Sequence, residues 1–482
     1  MKELFKTTVL MSSTEISVAV IAIIRNKYLA MNIGPEGFGI YGLLNSFFTL
    51  LSLFAGIWLT QGVVKYVAEY HNSKNYQKSD YIFYISLTIG ISLSIVILLI
   101  AILLNNIIRS TFLSKEILRS YYILFVGSFL FSNINQILSS YLQGLKKIRS
   151  VVRIKIFYSL LEIIIVITFV KMLGLIGFFA SFIISGMINT ILLWKIIKST
   201  ISNSYSIKVI NTPLTKKIVS FGIANLFVGV VYYLQLYLTR YIILDRTDIY
   251  SVGLLTAGFS IMGYMGIFNR GASYINLPNV SEKMDDIKRS QLFNEYLLFN
   301  IIITIPISFI VTLFGSTFLS LLYSDKFLIL NNFIYLFVLA NYFSTIASAF
   351  QHHVIGLGLM KSFASVGLAG NLIIVVSTLL LTEKMNIGSV GLGYIINYIV
   401  TIPIFYIILK KKARLKIDCR VFILEAYGVL LIILSRFIYD LSSLYKYIIC
   451  ILLFLIFYLM VKKEMAKLLY IFINRLPFIN KK

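Results

Sequence analysis

The sequence is poor in charged residues, which make up only 13% of its 482 positions, and acidic residues are the scarcer sign, with 19 Asp and Glu against 44 Lys and Arg. Soluble domains are nearer one quarter charged. Hydrophobic residues make up 59% of the whole sequence, and the mean hydropathy is +0.89. A soluble fold of this length could not bury so much apolar surface, but a lipid bilayer would cover it. The composition therefore predicts an integral membrane protein.

Residues and motifs typical of metal, redox and nucleotide chemistry are also scarce. The two cysteines, Cys419 and Cys450, are far apart and form no metal or redox motif. Among the three histidines, the adjacent pair His352 and His353 would point to different faces of a helix, which makes a poor metal site. The segment GPEGFG at Gly34–Gly39 lacks the Lys-Ser/Thr of a phosphate-binding loop. We therefore expect no metal, no cofactor and no enzymatic activity.

The basic residues give a net charge of +25, but they lie in short segments between apolar blocks. Five of them fall in the segment Gln143–Lys155. Such placement indicates topology and attraction to anionic lipid headgroups. Membrane lipids, and not nucleic acid, are the expected partners of this charge.

Fourteen apolar blocks of about 20 residues follow one another along the chain, which is the length that crosses the hydrocarbon core of a bilayer. They fall near residues 8–30, 39–62, 81–104, 121–143, 151–172, 174–197, 218–241, 250–275, 294–322, 331–355, 362–382, 387–409, 420–438 and 442–461. The blocks lack the alternation of a membrane β-barrel, and open strands would leave backbone groups unpaired in lipid. The predicted fold class is all-α, with about fourteen transmembrane helices.

The basic residues also predict the orientation. With the N-terminus inside, the inner segments carry 31 Lys and Arg and the outer segments carry 9, and four lie within helices. This bias places both termini in the cytoplasm.

An internal repeat is visible at a constant offset along the chain. FGIYGLLNSF at Phe38–Phe47 resembles IYSVGLLTAGF at Ile249–Phe259, and Gly144-Leu145 matches Gly356-Leu357. We therefore predict two pseudo-symmetric six-helix lobes, at 1–200 and 218–412, joined by a cytoplasmic linker at 201–217. Two extra helices and a cytoplasmic tail would occupy 413–482.

Charged residues inside apolar helices are the strongest candidates for function, because each costs about 2.5–3.5 kcal/mol at the centre of a membrane helix. The basic candidates are Arg25, Lys27, Arg240 and Arg270. They would either face an inner cavity or extend to the headgroups. The acidic candidates Glu15 and Glu162 could form ion pairs or serve as coupling sites.

Polar amides in the same helices are the second group of candidates. Asn225, Asn269 and Asn341 lie in the seventh, eighth and tenth blocks, and the fourth block carries Asn133, Asn135, Gln136 and Gln143. These side chains could contact sugars, but hydrogen bonding between helices accounts for them equally well.

The N-terminal part of the sequence carries a resemblance to a known family. RNKYLAMNIGPEGFGIYGLLNSF at Arg25–Phe47, followed by QGVVKYVAEY at Gln61–Tyr70, resembles the Wzx-type O-antigen and polysaccharide flippases. Their superfamily of multidrug, oligosaccharidyl-lipid and polysaccharide exporters also contains the MATE drug exporters and the lipid II flippase. One departure is the extra helix pair, since many of these flippases have about twelve helices.

The resemblance implies a function. A member of this family would carry an undecaprenyl-pyrophosphate-linked oligosaccharide, such as an O-antigen or capsule repeat unit, from the inner to the outer leaflet of the bacterial plasma membrane. Alternating access between two lobes would move it, with H+ or Na+ coupling left open. By position in the helices, the pyrophosphate would be bound by Arg25 and Arg270, together with Lys27 and Arg240. A polysaccharide polymerase and chain-length proteins would be further partners.

Two other classes of protein remain as alternatives. A MATE-like cation-coupled multidrug exporter would need carboxylates in its cavity more than guanidinium groups, and Glu15 is the feature in its favour. A polysaccharide polymerase would carry a large external loop, whereas the predicted outer loops are all short.

Overall fold

The computed structural model is all-α across the residues it describes, which are 2–114, 117–201, 212–267, 269–270, 280, 285–439, 448–449 and 452–462. The described helices are α1 (Lys2–Phe54), α2 (Thr60–Asn72), α3 (Tyr76–Leu103), α4 (Asn105–Phe112), α5 (Arg119–Gly144), α6 (Ile148–Lys198), α7 (Thr212–Arg246), α8 (Ile249–Met265), α9 (Asp286–Leu313), α10 (Gly315–Leu322), α11 (Ile334–Gly356), α12 (Met360–Met385), α13 (Gly388–Ala413), α14 (Cys419–Tyr439) and α15 (Leu452–Lys462). Short 3₁₀ turns lie at Ile57–Leu59 and Asp325–Asn332. Each of the fourteen predicted blocks overlaps one of these helices.

Two of the helices each contain two predicted blocks. In α1 the backbone breaks at Gly34, with φ 63° and ψ −172°. The next residue is Pro35, and the residue before a proline is pushed out of the α conformation. In α6 the break falls at Gly174, with φ 58° and ψ −133°. Both breaks coincide with boundaries between blocks in the sequence, so the kinked helices agree with the predicted pattern.

Nine helices among the described residues are long and apolar enough to cross a membrane, and the kinked α1 and α6 are two of them. The protein is therefore a multi-pass α-helical membrane protein, while the number of fourteen crossings stays a prediction. Hydropathy missed the helices α2 and α4, because neither contains an apolar run of membrane-spanning length, whereas α10 lies within the predicted block 294–322.

By their internal contacts, the residues form two compact units. The N-terminal unit comprises Met1–Thr256 and Leu322–Lys326. Within it, an interior cluster formed by α2, α3, α5, α6 and α7 is built on side chains such as Val63, Phe83, Tyr141 and Ile218. The C-terminal unit comprises Ala257–Leu321 and Phe327–Lys482. In it, α9 packs against α11 and α14, and α12 packs against α13.

The lobe boundaries expected from the repeat stay a prediction. Positions 202–211 of the predicted linker, and the predicted tail beyond position 462, lie outside the described residues.

The offset of the sequence repeat recurs in local structure. The helices α5 and α11 end at Gly144 and Gly356, and each is followed two residues later by a positive φ, at Lys146 and Gly358. These matched helix ends support the repeat that the sequence indicates.

Candidate functional site

The N-terminal unit has an open cavity of about 590 Å³. Both halves of α1, both halves of α6 and the helix α5 line it, together with one residue of α2. This volume lies within the range of about 300–1,000 Å³ that is usual for small-ligand pockets. We call it the N-terminal cavity. Its lining consists of amides and hydroxyls on one hand and aromatic rings on the other, together with one charged pair.

One face of α5 provides most of the polar lining. Its residues recur every three or four positions, the spacing that places side chains on one face of a helix. We call this set the α5 stripe: Ser128, Ser132, Asn135, Gln136, Ser139, Ser140 and Gln143. Asn45 and Thr49 of α1 and Asn189 of α6 add further polar groups.

The aromatic lining is contributed by α1, α5 and α6, and includes Tyr41, Phe48, Phe125, Phe129 and Phe182. Tyr41 stacks on Phe182, with ring centroids 5.6 Å apart and an angle of 13° between the planes. Phe125 meets Phe182 edge-on at 5.8 Å. These ring contacts give the cavity an aromatic wall beside its hydrogen-bonding groups.

Arg25 and Glu162 are the charged residues among the described residues that line the cavity, and they form an ion pair. Arg25 Nη1 lies 2.7 Å from Glu162 Oε1, and the side chains are 24% and 15% exposed. The formal charge of the lining is therefore zero. The sequence singled out both residues, and the structure brings them together in one site.

A second ion pair joins the same two helices outside the cavity lining. Lys155 Nζ lies 2.6 Å from Glu15 Oε1, and Tyr28 donates from its hydroxyl to the carbonyl of Ile167 at 3.3 Å. Glu15, the feature that favoured a cation exporter, is thus paired with a lysine. Together with Arg25–Glu162, these contacts join α1 to the first half of α6.

The other two basic candidates of this unit do not line the cavity. Arg240 is buried at 8% exposure and donates from Nη1 to the carbonyl of Leu236 at 3.1 Å. Its charge, with those of Arg25 and Glu162, acts on the hydroxyl of Tyr41, so it lies within electrostatic range of the site. Lys27 is half-buried on α1.

The remaining predicted residues have different surroundings. Arg270 belongs to the C-terminal unit, where it is exposed and donates from Nη2 to the carbonyl of Gly263 at 3.0 Å. Asn269 Oδ1 accepts hydrogen bonds from Tyr296 at 2.9 Å and Ser348 at 3.1 Å. Asn341 is buried at 5% exposure, and its Nδ2 has no hydrogen-bond partner among the described residues. The side chain of Asn225 lies outside the described residues.

The polar residues of the fourth block divide into two groups. Asn133 donates to Ser94, and Asn135 donates to the carbonyl of Gly186 and accepts from Thr190. Asn135, Gln136 and Gln143 line the cavity, whereas Asn133 does not, and the side chains of the two glutamines make no hydrogen bond to a described residue. Helix–helix hydrogen bonding therefore explains the two asparagines, whereas exposure to the cavity explains the two glutamines. The serines of the stripe were missed in the sequence, although their helical spacing was a usable signal.

Comparison with known proteins bears on the fold first. A structure described as the lipid II flippase MurJ in an inward closed conformation matches with a TM-score of 0.74 and 15% identity, over 95% of this chain and 100% of that one. An inward-facing multidrug resistance MATE family transporter of the MOP superfamily matches with a TM-score of 0.69 and 12% identity, over 86% and 99%. A MOP superfamily transporter from Pyrococcus furiosus, whose description names a binding pocket of reversed polarity, matches at 0.65 and 13%, over 85% and 96%.

These similarities define the class: a multi-pass membrane protein with the fold of the MATE and MurJ transporters. Residues 4–279, more than half of the chain, match the family of polysaccharide biosynthesis proteins. The chain belongs to that family. No curated protein matches the sequence.

Proposed function

We propose that this protein is a flippase that moves an undecaprenyl-pyrophosphate-linked oligosaccharide, such as an O-antigen or capsule repeat unit, from the inner to the outer leaflet of the bacterial plasma membrane. The observation that carries the proposal is the N-terminal cavity, a polar chamber inside a unit of apolar helices. Membership of the polysaccharide biosynthesis family and the fold shared with a lipid II flippase support it.

A polar cavity lowers the energetic cost of moving a hydrophilic headgroup across the hydrocarbon core of the membrane. The sugar headgroup is hydrophilic, and transferring each hydroxyl into hydrocarbon without a hydrogen bond costs several kcal/mol. While the headgroup crosses the membrane, the amide and hydroxyl groups of the α5 stripe take the place of water as its hydrogen-bond partners. The polyprenyl tail stays in lipid while the headgroup occupies the cavity.

The Arg25–Glu162 pair supplies the group that binds the pyrophosphate of the substrate. The guanidinium of Arg25 leaves Glu162 and binds a phosphate of the substrate, to which arginine can donate two parallel hydrogen bonds. Glu162, once released, is an uncompensated carboxylate and is the candidate group for H+ or Na+ coupling. Arg240, Lys27 and Arg270 remain proposed as further contacts of the pyrophosphate during the transport cycle.

Alternating access completes the mechanism. The substrate shifts the equilibrium between inward-open and outward-open states only by the difference in its affinity for them. Arg25 changes its partner from Glu162 to a substrate phosphate, and this change supplies a difference in affinity. One state contains the Arg25–Glu162 ion pair, and the other contains Arg25 bound to the substrate.

A multidrug exporter is less well supported by the same geometry. A cationic drug would need a free carboxylate in the cavity, but the carboxylate of Glu162 is paired with Arg25 at 2.7 Å. No observation on the described residues favours this alternative. It predicts that deletion of the gene lowers drug resistance.

The proposal is tested in cells that lack the protein. Lipid-linked repeat units should accumulate on the cytoplasmic leaflet, measured by their inaccessibility to a glycan-binding probe added to the outer face of spheroplasts. The wild-type gene should restore surface glycan, whereas Arg25→Ala should not. Lys155→Ala is the matched control, since it also breaks an ion pair between α1 and α6 but lies outside the cavity lining. Normal outer-leaflet exposure in the deletion strain would contradict the proposal.

A further inference from the structure

A five-residue segment from the second half of the chain is built into the N-terminal unit. By its contacts, Leu322–Lys326 groups with Met1–Thr256, whereas the residues on both sides of it belong to the C-terminal unit. The segment comprises the end of α10 and the start of the 3₁₀ turn at Asp325–Asn332. We call it the strap.

Tyr323 anchors the strap. Its side chain is fully buried, and its ring meets the ring of Phe38 edge-on, with centroids 5.8 Å apart and an angle of 81° between the planes. The next residue, Ser324, donates from its hydroxyl to the carbonyl of Ala30 at 3.3 Å. Ala30 and Phe38 lie on the two sides of the kink at Gly34, so the strap contacts both halves of α1.

The start of α8 holds the end of the strap. The hydroxyl of Tyr250 donates to the carbonyl of Lys326. A Cβ on Gly39 would overlap the carbonyl oxygen of Ile249, so the start of α8 packs closely against the second half of α1. The groups that receive the strap are therefore held together by their own packing. We call this set the socket: Ala30, Phe38 and Tyr250.

The charge pattern of the sequence predicts that the strap and the socket lie on the outer side of the membrane. With the N-terminus inside, the boundaries between blocks at 30–39, 241–250 and 322–331 are all outer ones. Three segments that are predicted separately as outer connections thus lie together in the structure.

The contacts of the strap are of a kind that can be broken and remade. Asp325 and Lys326 are exposed, and neither forms an ion pair with a described residue. The two hydrogen bonds join neutral groups, and water can replace such bonds at modest cost. Alternating access requires the outer ends of the two halves to separate in one state. A strap from the second half must leave a socket in the first when they do.

We infer that the strap is an outer lock of the transporter. It occupies the socket while the substrate enters from the inner leaflet, and it leaves the socket when the headgroup is released to the outer leaflet. The inference rests on the proposed function, to which it adds the segment that keeps the outer side closed. Tyr323 is the residue on which the lock depends, because it carries the buried ring of the strap.

The first test fastens the strap to the socket in the full-length protein. Ala30→Cys and Ser324→Cys, in a background with Cys419→Ser and Cys450→Ser, are joined by a short bifunctional methanethiosulfonate. The readout is translocation of undecaprenyl diphosphate carrying a trisaccharide in proteoliposomes. Cross-linking should stop translocation, and cleavage of the cross-link by a reductant should restore it.

A second pair of cysteines provides the matched control. The side chain of Asn294 accepts from the backbone N–H of Asp418 at 2.9 Å, and both residues belong to the C-terminal unit. Cross-linked Asn294→Cys/Asp418→Cys should therefore translocate the substrate at the rate of the reduced protein, because this link joins residues of one unit.

The second test measures release of the strap without transport. Ala30→Cys, in the same background, places a thiol beneath the strap, where the native side chain is 1% exposed. A membrane-impermeant maleimide added to the outer face of cells measures its accessibility. Tyr323→Ala should raise the rate of labelling at least about tenfold, because loss of the buried ring favours the released state. Tyr323→Phe, which keeps the ring, should not. Glu69→Gln, which breaks an ion pair with Lys217 at the predicted inner end, should leave the rate unchanged.

The outcomes separate the lock from the function it rests on. Undiminished translocation by the cross-linked protein, or equal labelling with and without Tyr323→Ala, would overturn the lock. If Tyr323→Ala does not fold, the cross-link alone decides. Absence of translocation before cross-linking would overturn the proposed function, and labelling, which needs no substrate, would still decide whether the strap leaves the socket.

Discussion

Gly174 and Asn386, which occupy matching positions of the sequence repeat, adopt the same unusual backbone conformation. Gly174 has φ 58° and ψ −133°, and Asn386 has φ 47° and ψ −130°. Each stands where one long helix gives way to the next, within α6 in one case and between α12 and α13 in the other. The two positions are separated by the same offset as Gly144 and Gly356, so a shared helix–helix junction is built into both halves of the chain.

This shared conformation predicts that Asn386→Gly and Gly174→Asn have opposite effects on stability. A residue with a side chain is strained by about 1–3 kcal/mol in such a conformation, and glycine is not. Asn386→Gly should relieve this strain, but glycine costs about 0.5–1 kcal/mol in chain entropy on folding. The net effect should be a stabilisation of about 1 kcal/mol. Gly174→Asn should destabilise it by about 1–3 kcal/mol through the backbone alone, since a Cβ there would meet nothing within 4 Å. Thermal unfolding in detergent measures both, and equal shifts of Tm in the same direction would contradict the shared strain.

Two adjacent amides of α5 should behave differently when made apolar. Asn135→Leu removes bonds to Gly186 and Thr190, so it should lower Tm, at about 0.6 kcal/mol for each hydrogen bond between membrane helices. Gln136→Leu removes no bond to a described residue from its side chain, so it should leave Tm nearly unchanged and reduce surface glycan. Tm and surface glycan, measured on both variants, distinguish them. A large drop in Tm for Gln136→Leu would show that this side chain has a structural role.

Two glycines of α8, Gly253 and Gly263, differ in the space around them, so their alanine variants can be compared directly. A Cβ at Gly253 would overlap the carbonyl oxygen of Pro35, so α8 and the second half of α1 approach closely there. Gly253→Ala should cost about 1–3 kcal/mol by overpacking. Gly263→Ala, in the same helix, meets nothing within 4 Å and should be neutral or stabilising by up to about 1 kcal/mol. The yield of monodisperse protein and its Tm are the measurements, and similar values for the two variants would rule out a close approach at Gly253.

A hydrogen bond from Tyr342 to Glu425 joins α11 to α14. The Tyr342 hydroxyl donates to Glu425 Oε2 at 2.5 Å, and Glu425 Oε1 has no partner among the described residues. Tyr342→Phe should destabilise the protein by about 1–3 kcal/mol, because it leaves a buried polar group unsatisfied. The double variant Tyr342→Phe/Glu425→Leu should recover much of that loss, since neither partner then remains unpaired. A double-mutant cycle on Tm gives the coupling, and strictly additive effects would contradict it.

Most of the fold could be predicted because the bilayer imposes a length on each apolar helix. The block boundary near residue 30 and the one at 172–174 reappear as the kinks at Gly34 and Gly174. The short helices α2 and α4 could not be predicted from hydropathy, since helices of 13 and 8 residues that lie beside longer spans carry no membrane-length signal.

The site could be predicted only in part. Arg25 and Glu162 stood out because a charge inside an apolar helix is costly, but their pairing joins positions 137 residues apart and depends on tertiary packing. The division between Asn135 and Gln136 depends in the same way on where α6 lies. Helical spacing alone would have identified the stripe of serines and amides on α5, although not the cavity that it faces.

The most direct test of the account is to place a photoreactive amino acid at Gln136 in cells that make the glycan, irradiate them, and identify the adduct by mass spectrometry. The matched control position is Asn133, on the same helix but bonded to Ser94 and outside the cavity lining. We expect an adduct that carries sugar residues of the lipid-linked oligosaccharide at Gln136 and none at Asn133. Phospholipid adducts alone at Gln136, or equal sugar labelling at the two positions, would contradict the claim that the N-terminal cavity holds the glycan during transport.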